Sequence, residues 1–332
     1  VTVGVGIIGL GFMGRTHLAA YAGARGAEVR ALHDPAMRAA ASGNLVTGGG
    51  AVEALLESVP REASVEALLA RADIDLVSIC TPTDSHVPLV RAAIRAGKHV
   101  LVEKPTSLDA ELIDELAREA EAAGLLAMPA HCMRFWPAWS WMASCIRERR
   151  FGRVRHAEFR RLGARPAWSQ DFYLDIARSG GALVDLHIHD ADFIRFAFGE
   201  PSSVHAEGTR MHVRARYSYD GGPSVTAEGG WMDDPSFAFR MEAVIECDDA
   251  TIDFAIQRSP ELLLTTGGAT RELVAGSDYP GGSGYDHEVQ ALIDAIARGD
   301  RSAPVTLAEA AATQRLLDHE AALLGSSDAP AS

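Results

Sequence analysis

The sequence predicts an α/β protein in two parts: an N-terminal Rossmann doubly wound parallel sheet, then a C-terminal α/β domain with a large open, mostly antiparallel sheet. Three observations predict it. Up to Arg150, short β-branched runs alternate with alanine-rich helical stretches, as in a parallel sheet flanked by helices. A glycine-rich turn follows the first of those runs directly. Beyond Arg150 the runs lengthen and alternate apolar with polar residues, the period-two mark of a sheet with one buried face. At 332 residues the chain exceeds the usual size of one core, so it divides into a first domain over 1–126, a second over 127–325 and a flexible tail at 326–332.

The first strand spans 3–8. The opening VTVGVGIIGL is as apolar as a signal-peptide core, but it lacks a basic start and runs straight into glycines, so a strand in a cytoplasmic protein is expected. A helix over 13–24 and a strand over 27–33 follow, with Asp34 at that strand's carboxyl end. The stretch 37–63 holds two weak helical segments around a run of glycines and has no single assignment. Then come a helix at 65–70, a strand at 76–80, a helix over 86–96, a strand at 99–102, a helix over 109–123 and a strand at 125–130. The second half offers alternating segments at 153–161, 204–217, 224–231 and 237–254, with helices over 181–198, 286–298 and 307–324.

Composition narrows the partners. Apolar residues make up 47% of the chain and charged ones 23%, which leaves ample core and little room for disorder. A formal charge of −14 argues against a grip on nucleic acid or an anionic membrane, and favours a small neutral partner. No apolar run approaches the roughly 18 residues of a membrane span. The four cysteines are widely spaced, with no CxxC pair, and read as buried free thiols in a reducing compartment.

Gly9-Leu10-Gly11-Phe12-Met13-Gly14 sits between a strand and a helix, the context in which such a loop cradles a dinucleotide pyrophosphate. Gly9 permits the tight turn, Gly11 lets the backbone approach the phosphates, and Gly14 allows close helix packing, while amide groups at the helix start face the negative charge. Asp34 holds the acidic position expected about twenty residues on. Its carboxylate would accept bonds from the ribose hydroxyls and repel a 2′-phosphate, so NAD is expected before NADP.

Ligands of a doubly wound sheet lie over the carboxyl ends of its strands. Two more strands end there in polar clusters, Thr81-Pro82-Thr83-Asp84-Ser85-His86 and Glu103-Lys104-Pro105. A lysine there can hold a substrate oxygen and stabilise charge that develops on it, with Glu103 as the group that orients it. Farther on, Gly180-Gly181-Ala182-Leu183-Val184-Asp185-Leu186-His187-Ile188-His189 is the densest polar stretch of the second half. On one continuous helix Asp185 and His189 share a face, pairing a carboxylate with an imidazole that can act as general base. The same pair could ligate an ion, but no third ligand stands at a recognisable spacing, so no metal is expected. His187 and Asp190 are expected to satisfy neighbouring backbone or a subunit contact. Arg160, Arg161 and Arg165 read as a basic strand edge, with a carboxylate-binding role as the alternative.

Taken together, Gly9-x-Gly11-x-x-Gly14, Asp75-x-x-x-Ile79-x-Thr81-Pro82-x-x-x-His86, Glu103-Lys104-Pro105 and Gly180-Gly181-x-x-x-Asp185-x-x-x-His189 closely resemble the Gfo/Idh/MocA oxidoreductases, over residues 1–324. The resemblance implies catalysis by Lys104, Asp185 and His189 at the nicotinamide, with the Lys104–Pro105 bond cis. It implies cofactor contacts at Gly9, Gly11, Phe12, Met13, Gly14, Asp34, Thr81, Pro82, His86, Glu103 and Lys104. Substrate contacts are implied at Lys104, Arg134 (with Phe135 beside it), Asp185, His189 and Tyr285. It also implies a homodimer or homotetramer formed through the C-terminal sheet. The long 37–63 stretch departs from the family's shorter connection, which puts adenosine contacts beyond Asp34 in doubt.

The expected function is NAD-dependent oxidation of a secondary alcohol on a cyclic polyol or sugar, such as an inositol or aldose. Two other readings stay open: transient oxidation that serves an epimerase, lyase or glycosidase, and a dinucleotide-binding sensor without turnover. The second is disfavoured by the presence of Lys104, Asp185 and His189 together.

Overall fold

A computed structural model of the chain describes residues 2–35, 50–166 and 170–324. Much of the unassigned 37–63 stretch, and the tail expected at 326–332, lie outside the described residues. In chain order the first elements are β1 (Val3–Ile8), α1 (Phe12–Gly23), β2 (Ala27–His33), α2 (Gly50–Ser58), α3 (Val65–Leu69), β3 (Leu76–Ile79), α4 (His86–Arg95), β4 (His99–Val102), α5 (Ala110–Ala123) and β5 (Ala127–Pro129). They continue with α6 (Pro137–Arg147), β6 (Val154–Ala164), α7 (Gln170–Tyr173), α8 (Ile176–Ser179), α9 (Ala182–Asp185), α10 (Ile188–Phe198), β7 (Ser203–Thr209), β8 (His212–Ser218) and β9 (Ser224–Met232). Last come β10 (Arg240–Cys247), β11 (Ala250–Ala255), β12 (Leu262–Thr266), β13 (Ala269–Leu273), α11 (Gly284–Arg298) and α12 (Leu307–Leu323).

The chain forms two compact units, one of residues 1–131 and 285–312, the other of 132–284 and 313–332. In the first, five parallel strands run in the order β2-β1-β3-β4-β5. β1, β3 and β4 read as apolar runs because they are buried almost throughout, and on one face Ile8, Val77, Ile79, Val100 and Val102 share a core with Val90 and Ile94 of α4 and with Ile113 and Leu116 of α5. Leu307, Ala310 and Ala311 join the same core. The sequence grouped 285–312 with the second domain. The apolar stripe Val289, Leu292 and Ile293 of α11 is buried, and Gln290 accepts a bond from the Arg25 amide at 2.8 Å, which ties this helix to the first unit.

The register of this sheet decides where its functional residues stand. Ile8 pairs with His33 on one side and Ile79 on the other, Ile79 with Val102, and Val102 with Pro129. Because the pairs are level, the next residues, Gly9, Asp34, Cys80 and Glu103, leave the sheet along one edge. The reversal of strand order falls between β1 and β3, where a doubly wound sheet opens its crevice.

The second unit is built on eight strands in the order β13-β12-β11-β10-β6-β9-β8-β7, antiparallel apart from the β6–β9 pair. The alternation predicted here is the observed one: Ala157, Phe159, Ala243, Ile245, Ile252 and Phe254 are buried, and Trp139 of α6 and Phe193 of α10 pack edge to face beside them. The long runs 204–217 and 237–254 each fold as two strands rather than one. Sequence reading left α6 and the β12–β13 hairpin unassigned; the hairpin turns at Gly267 and Gly268, both with positive φ.

Two expectations are corrected. β6 is a central strand, so its arginines are no basic edge; Arg160 instead pairs with Glu158, Glu228 and Glu242 on the polar face, and Arg161 with buried Asp190. The helix expected over 181–198 is broken. α9 ends at Asp185, α10 starts at Ile188, and the His187 amide bonds back to the Ala182 carbonyl. The cause is tertiary: the His187 ring is drawn into the core by Glu320, 2.9 Å away, and by the Tyr217 hydroxyl at 3.0 Å.

Candidate active site

The glycine loop follows from steric limits at three positions. Gly9 has φ +90°, and a Cβ there would meet the Cys80 carbonyl oxygen at 2.7 Å. A Cβ on Gly14 would stand 1.9 Å from the Gly9 carbonyl oxygen, so α1 can start this close to β1 only with glycine. Gly11 is exposed, and a Cβ there would meet nothing within 4 Å. That open space lies at the first turn of α1, whose N-cap has no side-chain bond, so the loop fits a dinucleotide phosphate held by backbone amides. Phe12 and Met13 are half-buried in that turn. Asp34 sits beside the loop and accepts the Leu10 amide at 2.7 Å through Oδ2.

Thr81 and Pro82 leave β3 on the same edge, and Thr81 shares a 2.6 Å hydroxyl contact with Ser85. His86, expected at the cofactor, is instead buried. Its Nδ1 lies 2.8 Å from the Pro105 carbonyl oxygen and its Nε2 2.8 Å from the Thr81 carbonyl oxygen. Each ring nitrogen thus faces a backbone carbonyl, and the neutral ring, with one N–H, donates to one of the two at a time. Burial pushes the imidazole below its ordinary pKa, against the pull of the two carbonyl groups.

Lys104 follows β4, partly exposed, with a cis peptide to Pro105. The carboxylate of buried Glu103 accepts the Lys104 amide at 3.1 Å, so Glu103 holds the lysine's backbone. Its other oxygen meets Nε2 of His17 on α1 at 3.0 Å, and His17 Nδ1 lies 2.7 Å from the Ser78 hydroxyl. Burial opposes charge on His17, but Cys80 and Glu103 outweigh it and hold the imidazole protonated well above its ordinary value. Burial likewise raises Glu103, yet His17 and Lys104 bring its carboxyl below the usual range.

Sequence reading missed His17, Tyr21 and Glu288. Glu288 is wholly buried with neither carboxyl oxygen hydrogen-bonded, and burial pushes its pKa well above the usual range. One imidazolium cannot hold two carboxylates ionised here, so Glu103 takes the charge and Glu288 stays a neutral acid. A signal existed: Glu288 falls on the apolar stripe of Tyr285, Val289 and Leu292, where a charged residue is out of place. Tyr285 itself is buried on α11.

In the second unit, five ionisable residues fall between 185 and 192. His187, Asp190 and Asp192 are buried and committed to Glu320, Arg161 and Arg134 in turn. Asp185 and His189 are the two left partly exposed. Because the helix breaks between them, their shared face no longer follows from helical spacing. Arg134, expected at the substrate, is buried: its guanidinium grips Asp192 through Nε at 2.8 Å and Nη2 at 2.7 Å, and lies over the Phe196 ring. No metal-binding cluster occurs among the described residues, and no described helix is long and apolar enough to cross a membrane.

Two family models match the chain, one described as an oxidoreductase family with an NAD-binding Rossmann fold, over residues 3–131, the other as the GFO/IDH/MocA C-terminal domain, over residues 139–251. The chain belongs to the Gfo/Idh/MocA oxidoreductase family. Among relatives of this Gfo/Idh/MocA chain, inositol 2-dehydrogenase from Rhizobium meliloti (strain 1021) is 35% identical over 209 residues, which cover 62% of this chain and 58% of that protein. The match thus spans under two thirds of that relative's length. The solved structure of UDP-N-acetylglucosamine 3-dehydrogenase from Acidithiobacillus ferrooxidans aligns with a TM-score of 0.77 at 25% identity, covering 98% of both chains. Levoglucosan dehydrogenase, solved with NADH and levoglucosan, aligns with a TM-score of 0.82 over 97% of this chain and 98% of that one; at 21% identity the likeness is one of fold. The first unit of this family member is therefore its NAD(P)-binding part.

Proposed function

We propose that the protein is an NAD-dependent dehydrogenase that oxidises a secondary alcohol on a cyclic polyol or sugar. The observation that carries the reading is the placement of a partly exposed lysine, backbone-fixed by Glu103, on the same strand-end edge as the glycine loop and Asp34. Support comes from relatives named for inositol, UDP-N-acetylglucosamine and 1,5-anhydro-D-fructose.

In this reading the amides of the glycine loop hold the pyrophosphate, and the Asp34 carboxylate takes the ribose hydroxyls and disfavours a 2′-phosphate. The nicotinamide, when bound, supplies the hydride acceptor. Lys104 donates a hydrogen bond to the substrate oxygen and stabilises negative charge on it. His189 accepts the hydroxyl proton, and Asp185 fixes a neighbouring hydroxyl or the imidazole. A substrate rich in ring hydroxyls suits such a set, because polar groups left unpaired penalise analogues that lack them. Copies of the chain associate through the polar face of the eight-stranded sheet as a homodimer or homotetramer, to be checked by light scattering.

The test is a panel of inositols, hexoses, pentoses and uronates with NAD, followed at 340 nm. Sustained NADH formation with one of them supports dehydrogenation. Product without net NADH would replace it with transient oxidation, and ligand-induced thermal shifts without product would leave a sensor.

A further inference from the structure

Lys104 is flanked on both sides by residues tied to a buried histidine. Before it, Glu103 Oε1 meets Nε2 of His17, which rides on the helix that opens at the glycine loop. After it, the Pro105 carbonyl oxygen lies 2.8 Å from Nδ1 of His86, whose Nε2 faces the Thr81 carbonyl. Both rings are buried and belong to different helices, α1 and α4, each starting at the ligand edge of the sheet. We propose that His17 and His86 are positioning residues which clamp the Glu103-Lys104-Pro105 turn from its two sides and thereby set where the Lys104 ammonium stands. The inference rests on the dehydrogenase reading for its catalytic meaning, but the clamp itself concerns placement alone.

The physical case is one of constraint. Lys104 has a long stem with four rotatable bonds, so the hold on its backbone sets the volume its head can reach. The amide of residue 104 is held by Glu103, and Glu103 is in turn fixed by an imidazolium it neutralises. Around His17 stand Ser78 and Cys80 from β3 and its end, Glu103 from the end of β4, Tyr21 on its own helix and Glu288 on α11. Of the two carboxyl groups, Glu103 alone accepts a bond from the ring, while Glu288 accepts none. Loss of either histidine therefore frees one side of the turn. A misplacement of about 1 Å at a reacting group costs on the order of 100-fold in rate.

The chain makes this measurable without a substrate, because Lys98 and Lys104 are its only lysines. Lys98 is buried with its Nζ bonded to the Arg71 and Ile74 carbonyl groups, and so reports general loosening. The full chain is acylated with N-succinimidyl acetate and the two lysines are followed by peptide mass spectrometry. His17→Gln and His86→Gln should change the Lys104 rate, relative to Lys98, by about fivefold or more, whereas Glu288→Gln should leave the ratio as it is. NADH affinity, read by fluorescence, should stay within about threefold while kcat on any substrate found falls by about 10–100-fold. In the unmutated chain, hydrogen exchange at the Lys104 amide should run at least about 100-fold slower than in an open peptide. A Lys104/Lys98 ratio within twofold of wild type in either folded histidine variant, or unprotected exchange at Lys104 in the wild type, overturns the clamp. Full turnover by Lys104→Ala sinks the dehydrogenase reading instead and leaves the labelling result in place.

Discussion

In the first unit the reactive candidates stand on loops that leave strand ends, while in the second they stand at a break in a helix whose other polar groups point inward. The strand edge is set by register, so once Ile8, Ile79 and Val102 are level the positions of Gly9, Cys80 and Glu103 follow. The helix break has no such local rule. It depends on Glu320 and Tyr217, which pull His187 inward, and on two arginine–aspartate pairs that fix Asp190 and Asp192. Identical residue types thus serve opposite ends within eight positions, and burial separates them better than spacing does.

The sharpest way to break this comparison is at its reactive members. Lys104→Ala should lower kcat by about 100–1,000-fold with NAD affinity nearly unchanged, as for the loss of one group that stabilises charge in the transition state; isothermal titration and stopped-flow traces separate the two. Next is the inward set. Arg134→Met leaves buried Asp192 without the guanidinium that grips it, so urea unfolding should show a loss of about 3–5 kcal/mol, and the Arg134→Met/Asp192→Leu double variant should regain much of it.

Asp34→Ala removes the carboxylate beside the glycine loop and should raise KM for NAD about tenfold while narrowing the gap to NADP, roughly 1.4 kcal/mol of discrimination. Glu288 yields a pH signature. Its folded pKa lies well above its unfolded value, so its contribution is complete below the ordinary carboxylate range and is lost as pH rises through the folded value. Wild type should therefore lose Tm on the alkaline side by about 2–4 °C relative to Glu288→Gln, measured calorimetrically from pH 5 to 9. The smallest effect is at Asp109, which caps α5 by accepting the Glu111 amide at 2.9 Å; Asp109→Ala should cost about 1 kcal/mol with no change in kcat.

Local pattern carried much of the first unit. β1 and β4 are apolar runs bounded by turn residues, β2 alternates apolar with charged residues before it enters the core, and α5 begins one residue after an aspartate cap, so sequence alone locates them. The pieces that escaped are those whose signal is tertiary. α6 is the exception, because Trp139, Met142, Ala143 and Ile146 form a buried stripe at helical spacing that was legible locally; in the fold Trp139 meets Phe193 and Phe254. For His86 the motif suggests a ligand contact but says nothing of the two carbonyl groups that face its ring. Nor does it place Asp192 in the fork of Arg134. Asp185 and His189 are expected from helical spacing, which the break removes, and from the family motif; in the structure both are partly exposed, unlike the buried ionisable residues beside them.

The central claim is that Lys104 serves oxidation of a polyol or sugar by NAD, and the most direct measurement is NADH formation at 340 nm by wild type and Lys104→Ala across the substrate panel. Wild type should form NADH steadily with at least one ring polyol, and the variant should be slower by about 100-fold or more at unchanged NADH affinity. Equal rates from the two proteins, or no NADH from wild type with any member of the panel, would contradict it.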